Sequence, residues 1–317
     1  MVVDTLPPPM DASGFTPPLS VVICTYNRAH LLPSAVASVL GQGYTDFELV
    51  LVDDGSTDGT AEVIASIDDP RIRAVRQENQ GLSVARNTGV AHARGRYVVF
   101  LDDDDRALPD WLARLGELVD GECAAVCCGE VLAQEDGQVV RTMLPHPLGP
   151  AFADYSGWFV PGTFAVRRDL YEEAGGFTPG LEHLHHTEFA LRFLTICRAR
   201  GLEVRTVDAA LVVRHVGGDR RTSVQNVGKI QRSMEYLLAH HGEQLARDGW
   251  ILAQYSAIAG VGAAQMDDFR TARHHLRRAV RARPRDPKHW ARLVLATVPP
   301  LGRRVWRRSI TTAGSMG

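Results

Sequence analysis

The chain has 317 residues, 45% hydrophobic and 23% charged, with 35 Lys and Arg against 37 Asp and Glu. That composition excludes a disordered or fibrous protein, and a formal net charge of −2 gives no bulk attraction to nucleic acid. Five cysteines (Cys24, Cys123, Cys127, Cys128 and Cys197) contain no C-x-x-C pair, so they read as buried thiols of a reducing compartment rather than a zinc site.

Residues 1–18 are proline-rich with an early Asp, which predicts a disordered tail and not a signal peptide. No apolar run is long enough to span a bilayer. Residues 19–25 predict a buried strand, and Asn27 a cap for the helix carried by Leu31, Leu32, Ala35, Val36, Val39 and Leu40. Residues 47–52 predict a second strand that runs into Asp53, Asp54 and Gly55, with Thr57 or Asp58 placed to cap a helix through Ile67. Residues 71–76 alternate as a third strand, and 81–93 form a helix containing Arg86 and Asn87. Residues 97–101 are a fourth, buried strand that ends in four carboxylates, Asp102 to Asp105, before a helix starting at Pro109. Four strand–helix alternations at short spacing predict an α/β fold with a mainly parallel sheet flanked by helices.

The four adjacent carboxylates repel one another, so a fold keeps them where they are solvated or hold a cation. Ligands bind at the carboxyl ends of strands in open α/β sheets, and oxygen-only ligands suit Mg²⁺ or Mn²⁺.

Beyond Val119 the alternation breaks. Residues 124–132 and 138–144 predict a hairpin, 163–167 a strand, 168–174 a short helix, 186–200 an amphipathic helix and 203–215 a last strand. A Gly-rich loop with Arg220, Arg221 and Ser223 follows, and from Asn226 the pattern is helical. Trp250, Tyr255, Ala259, Gly260, Ala272, Leu276, Ala279 and Pro284 fall roughly where a tetratricopeptide helix pair packs, although a plain helical cap is equally compatible. These readings divide the chain into a tail (1–18), an α/β domain (19–225), a helical cap (226–298) and a basic tail (299–317).

Together the segments VVICTYNR (21–28), VDDGSTDGT (52–60), ENQGLSVARNTGV (78–90), GRYVVFLDDDD (95–105) and PDWL (109–112) resemble family 2 glycosyltransferases of the GT-A fold. The resemblance implies transfer of a sugar from a nucleotide-activated donor (a UDP-, GDP- or TDP-sugar) to an acceptor hydroxyl, metal-dependent and inverting. Thr25 and Tyr26 would line the base pocket, with Arg28 beside them on the donor side. Asp54, with Asp53 beside it, would accept from base N–H or ribose hydroxyls. Arg86 would meet the donor phosphates, as guanidinium suits phosphate oxygens. Asp102-x-Asp104 resembles the DxD motif, with Asp104 on the metal and Asp102 on ribose or a metal-bound water. Asp103 is assigned to the donor side and, with Asp105, to solvent or the outer layer of the site. Trp111 reads as core.

The family places an adjacent Glu-Asp pair at the start of the helix after a GGF stretch, with the Asp as base. Here Gly175-Gly176-Phe177 is present and the pair reads Thr187-Glu188, which assigns the base to Glu188. His183, His185 and His186 read as acceptor-site lining or helix-start polarity, and His215 as a further metal ligand. The implied cofactor is Mn²⁺ or Mg²⁺, and the acceptor a glycan, a lipid-linked saccharide or a small molecule. No nucleic-acid partner is expected, and oligomeric state is not readable. A cytoplasmic enzyme is expected, with peripheral contact at the inner face of the membrane through the basic tail as an open alternative. The competing readings are a non-catalytic sugar-nucleotide-binding or scaffold protein and, further off, a sugar-phosphate nucleotidyltransferase.

Overall fold

The computed structural model describes residues 17–134, 136–215 and 224–312. Those residues fall into two compact units. The first takes the chain to Leu148, then Tyr155–Gly180 and His185–Gly217; the second takes Gly149–Asp154, Leu181–Leu184 and the chain from Gly218 on.

In the first unit, β1 (Leu19–Thr25), α1 (Leu32–Leu40), β2 (Phe47–Asp53), α2 (Thr60–Ala65), β3 (Ile72–Arg76), α3 (Leu82–His92) and β4 (Tyr97–Asp102) follow in order. After them come β5 (Arg106–Ala107), α4 (Trp111–Gly116), β6 (Ala125–Ala133), β7 (Val139–Met143), β8 (His146–Pro147), β9 (Ser156–Gly157), β10 (Phe164–Arg167), α5 (Arg168–Glu173), α6 (His185–Arg200) and β11 (Val204–His215). The main sheet runs β3-β2-β1-β4-β10-β6-β11-β5, with β7 antiparallel on β6. β3, β2, β1 and β4 are parallel, and β10 enters antiparallel between β4 and β6. The first four strands are thus the doubly wound half the spacing predicts, and the hairpin of β6 and β7 forms as expected.

β1 and β2 are buried along their whole length, which is why they read as unbroken apolar runs rather than alternating ones. One face packs Val21, Ile23, Leu49, Leu51 and Val99 against α1 and the fully buried Trp111, whose indole N–H donates to the Gly162 carbonyl at 2.7 Å. On α3, a side chain at Gly89 would collide with Val22 and Val52, so glycine lets this helix lie directly on β1 and β2. Behind β4 stands an aromatic cluster: Phe100 meets Phe177 edge-on at 5.2 Å, and Phe177 packs on Phe189 at 5.2 Å. All five cysteines are buried thiols with no disulfide among them.

Asn27 does not cap α1. That helix starts at Leu32, with Leu31 at its N-cap position, Pro33 in its first turn and no side-chain cap, while Asn27 takes a left-handed conformation (φ 52°) and reaches across to the loop after β2. Neither Thr57 nor Asp58 is the N-cap of α2; Gly59 is, and Asp58, one residue before it, accepts from Thr60 N–H at 3.0 Å.

The second unit contains α7 (Val224–His240), α8 (Gly242–Leu245), α9 (Gly249–Gln265), α10 (Phe269–Ala282), α11 (Pro287–Thr297) and α12 (Pro299–Thr312). Asp248, Asp268 and Asp286 cap α9, α10 and α11 through their carboxylates. α9 and α10 pack closely because Gly260 leaves room for Leu276, beside Ala272 and Ala279. Trp250, by contrast, is exposed. Pro299 and Pro300 stand where α11 has ended, at Thr297 with Val298 as its cap, and they also occupy the first turn of α12, where proline is tolerated.

Candidate active site

Parallel pairing puts Thr25 beside Asp53, and Cys24 beside Asp102, so β1, β2 and β4 deliver their polar ends to one edge of the sheet. Strand order reverses there, β2 lying on one side of β1 and β4 on the other, which is where open α/β sheets bind ligands. The loops after β1 and β2 are knitted together. Asn27 N–H donates to Ser56 Oγ at 2.9 Å, and Thr57 N–H donates back to Asn27 Oδ1 at 2.7 Å. Tyr26 remains exposed at this edge.

Asp53 and Asp54 are both buried. Asp53 Oδ1 accepts from Ser56 N–H at 2.8 Å, and Arg76 lies 3.3 Å from Oδ2. Asp54 accepts from the Gln77 amide at 2.7 Å and from the Gln80 and Gly81 N–H groups at 3.0 and 2.9 Å. Its carboxylate therefore fixes the loop that leads into α3.

After Asp102 the chain turns, and β5 pairs antiparallel with β11, which brings His215 against the acidic turn. His215 N–H donates to Asp105 Oδ1 at 3.2 Å, and its ring Nδ1 donates to the Asp104 carbonyl at 3.0 Å. A carbonyl only accepts, so Nδ1 carries a proton, and any lone pair the ring offers is on Nε2. Carboxylate oxygens of Asp102, Asp104 and Asp105 lie within 4.8 Å of one another. His215 adjoins this group without belonging to it. Arg28 spans Asp103 at 2.8 Å and Asp104 at 2.9 Å.

Asp103 and Asp105 do not face solvent. Both are buried, because the β4–β5 turn folds back under β11. Burial pushes Asp103 up to about 6, against the pull of Arg28 and the Thr25 hydroxyl, with Asp104 and Asp102 adding to the rise. Burial, then Asp102 and Asp104, pushes Asp105 up to about 9, opposed by His215 N–H and Arg214. Asp105 Oδ2 is buried and meets no donor among the described residues. Crowded oxygens that resist ionisation and leave one atom unsatisfied are what a hard divalent cation would stabilise.

Arg86 is fully buried, donates to Asp102 and to His185 Nε2, and lies over the Phe177 ring at 5.4 Å. Its neighbour Asn87 grips the glycine turn, donating to the Phe177 carbonyl at 2.8 Å and accepting from Phe177 N–H at 2.8 Å. The SVARN stretch thus ties α3 both to the acidic edge and to the GGF turn. Neither the Asn87 grip nor the Gln77 and Gln80 contacts to Asp54 were foreseeable, since each spans parts of the chain that only the fold brings together.

Glu188 is buried, and both of its oxygens are engaged. Arg192, one turn on, donates to Oε1 at 2.7 Å and to Oε2 at 2.6 Å, and the Thr178 hydroxyl donates to Oε2 at 2.8 Å. Arg192 also donates to the Ala174 and Gly176 carbonyls. The pair therefore locks the GGF turn onto α6, a geometry that argues against Glu188 as the proton acceptor. α6 begins at His185, two residues earlier than Thr187, so the pair at the helix start is His185-His186. His186 is partly buried and its Nδ1 has no partner among the described residues. Burial first and Arg86 next push it down to about 4; Asp102 opposes them and Arg214 adds to them, so it is neutral at pH 7.

The Gly217–Ser223 loop, with Arg220 and Arg221, lies outside the described residues.

Residues 20–175 match the family described as Glycosyl transferase family 2. The succinoglycan biosynthesis protein ExoO of Rhizobium meliloti is 35% identical over 157 residues, 47% of this chain and 44% of that protein. A GalNAc(5)-diNAcBac-PP-undecaprenol beta-1,3-glucosyltransferase of Campylobacter jejuni is 36% identical over 129 residues, 39% of this chain and 41% of that protein. Each match spans under half the length of these curated relatives. Among solved structures, S. aureus TarS 1-349 in complex with UDP-GlcNAc superposes with a TM-score of 0.60 at 15% identity, covering 93% of this chain and 91% of that one. The mannosyltransferase PcManGT of Pyrobaculum calidifontis, in complex with GDP-Man and Mn²⁺, gives a TM-score of 0.54 at 20% identity, covering 95% and 85%. At those identities the likeness is one of fold.

Proposed function

Residues 20–175 of this chain are a family 2 glycosyltransferase domain of GT-A fold, and from that premise we propose that the protein transfers a sugar from a nucleotide-activated donor to an acceptor hydroxyl, with inversion and with a divalent cation. The observation that carries the reading is the group of Asp102, Asp104 and Asp105 with its unsatisfied oxygen, at the edge where β1 and β2 deliver Thr25 and Asp53.

The exposed Tyr26 ring offers a stacking face to the base, and Thr25 and Asp53 offer polar atoms to the base and ribose. Asp54 holds the wall of this pocket through Gln80 and Gly81. Asp104 and Asp102 would hold the cation, with Asp105 behind them and the Nε2 lone pair of His215 available. Mn²⁺ or Mg²⁺ bound there would supply charge neutralisation for the departing diphosphate. Arg86 holds Asp102 in place, and Arg28 restrains Asp103 and Asp104. Mn²⁺ in the PcManGT complex supports the cofactor, and UDP-GlcNAc and GDP-Man in the two neighbours support UDP- and GDP-sugars as the first donors to test, with TDP-sugars after them.

Transfer forms a bond from the acceptor oxygen to the anomeric carbon. The carbon–oxygen bond to the diphosphate breaks, its electron pair leaving with the diphosphate. The acceptor proton must go to a base. We assign it to His186, neutral and with an Nδ1 that meets no partner among the described residues, and we assign Glu188 to positioning through Arg192. The undecaprenol-linked name of the Campylobacter relative supports a lipid-linked acceptor, ahead of a free glycan or small molecule. In this reading residues 19–225 carry the catalysis, and residues 226–298 and 299–317 serve placement.

A thermal-shift panel of UDP-, GDP- and TDP-sugars, with and without Mn²⁺ or Mg²⁺, tests it. A donor at 100 times its Kd stabilises the fold by about 2.7 kcal/mol. The expected result is a rise for one nucleotide class that requires metal; no rise with any donor contradicts the proposal.

A further inference from the structure

The near-neutral chain conceals a strongly basic stretch. Residues 269–306 hold eleven of the 35 Lys and Arg but only one of the 37 acids, Asp286. Arg281, Arg283, Arg285, Lys288 and Arg304 are exposed. α11 and α12 are anchored by one side each: His289 and Ala296 are buried on α11, and Trp306 on α12 packs near Phe269. Their other sides carry apolar residues outward. Trp290 and Val294, one turn apart, are 49% and 55% exposed, and Val298, Leu301 and Val305 are exposed in the same degree.

Water-facing Trp and branched aliphatics beside unneutralised cations form the two-part signature of a helix that lies in a bilayer interface. Apolar side chains enter the acyl boundary while cations meet anionic headgroups. No described helix is long and apolar enough to cross a membrane, so the fit is to the surface. The charge ratio selects an anionic surface, and the exposed apolar residues separate a lipid partner from a simple polyanion, which would need only the cations. We propose that the outward faces of α11 and α12 form a docking surface for an anionic lipid bilayer. The inference is independent of the chemistry assigned above, because it rests on the helical unit alone.

Sedimentation of the full chain with vesicles tests it. Wild-type protein should pellet with vesicles of equal parts phosphatidylcholine and phosphatidylglycerol at low salt, and stay in the supernatant with phosphatidylcholine alone. Raised salt should release it. The surface pair Trp290→Ser and Val294→Ser should weaken binding about tenfold or more with an unchanged melting temperature, and Arg285→Glu with Lys288→Glu should do the same. Equal binding to both vesicle types, or none to either at low salt, overturns the proposal. So does full retention of binding by the Trp290→Ser, Val294→Ser pair together with displacement by double-stranded RNA, which would mark a polyanion site.

Discussion

The carboxyl edge of β1, β2 and β4 and the amino end of α6 belong to one unit but are built on different principles. At the strand edge, each functional side chain stands within a few residues of the strand that delivers it. Asp53 and Asp102 end β2 and β4, and parallel register alone sets them beside Thr25 and Cys24. At the helix end, the roles of side chains depend on partners far away in sequence. Glu188 is defined by Arg192 and Thr178, the GGF turn by Asn87, and His185 by Arg86. The first arrangement can be read from spacing. The second exists only once α3, α5 and α6 have packed around Phe177.

The largest effect that would break this contrast concerns turnover. His186→Ala should lower kcat at least about a hundredfold, the scale of lost general-base help, while donor KM stays within a few-fold. If Glu188→Gln gives that loss in folded protein and His186→Ala does not, the assignment of roles at α6 reverses.

A smaller effect sharpens the structural half of the same comparison. Glu188→Gln leaves the Arg192 guanidinium without its bidentate carboxylate beside a buried turn. Breaking one partner of such a pair costs about 3 kcal/mol, read as a fall in denaturant midpoint with unchanged slope. Stability unchanged within error would mean that the pair does not lock the GGF turn.

The smallest expected effect concerns Asp105 and its sign. A folded carboxyl raised to about 9 keeps a proton that the unfolded chain has released. Its contribution is therefore greatest below about pH 4 and is lost as pH rises toward the folded value. Asp105→Asn keeps an acceptor for His215 N–H and removes that titration. Without metal, the variant should melt higher at pH 7, by about 2–4 °C for each kcal/mol recovered, and its stability should vary less between pH 5 and 8. A variant that melts lower would show that the acidic turn is already satisfied without a cation.

Much of the fold was legible because its first half obeys local rules. Short apolar runs ending in acid gave β2 and β4, and their alternation with helices gave the parallel sheet. The core role of Trp111 also followed from its place in an apolar helix face. The rest was hidden for physical reasons. Asn27 has the chemistry of a cap, but a cross-loop bond to Thr57 N–H satisfies it instead. Asp103 and Asp105 read equally as solvent-facing acids or as the outer layer of the site, and only their burial in the fold selects the second. The pattern predicts the start of α6 to within one residue, but the resemblance assigns the pair to Thr187-Glu188, and the engagement of Glu188 by Arg192 and Thr178 exists only in the fold. Residues 299–312 read as a tail because a Pro-Pro pair forbids a continuing helix, and the same pair is well suited to begin one.

The account stands most directly on the acidic edge holding a cation for a nucleotide donor. Calorimetric titration of UDP and GDP into wild-type protein and Asp104→Ala, each with and without Mn²⁺, tests that claim. The expected result is binding of one nucleotide by wild type only when Mn²⁺ is present, and no binding by Asp104→Ala although it folds with an unchanged or higher melting temperature. Equal affinity with and without Mn²⁺, or an Asp104→Ala affinity matching wild type, would contradict it.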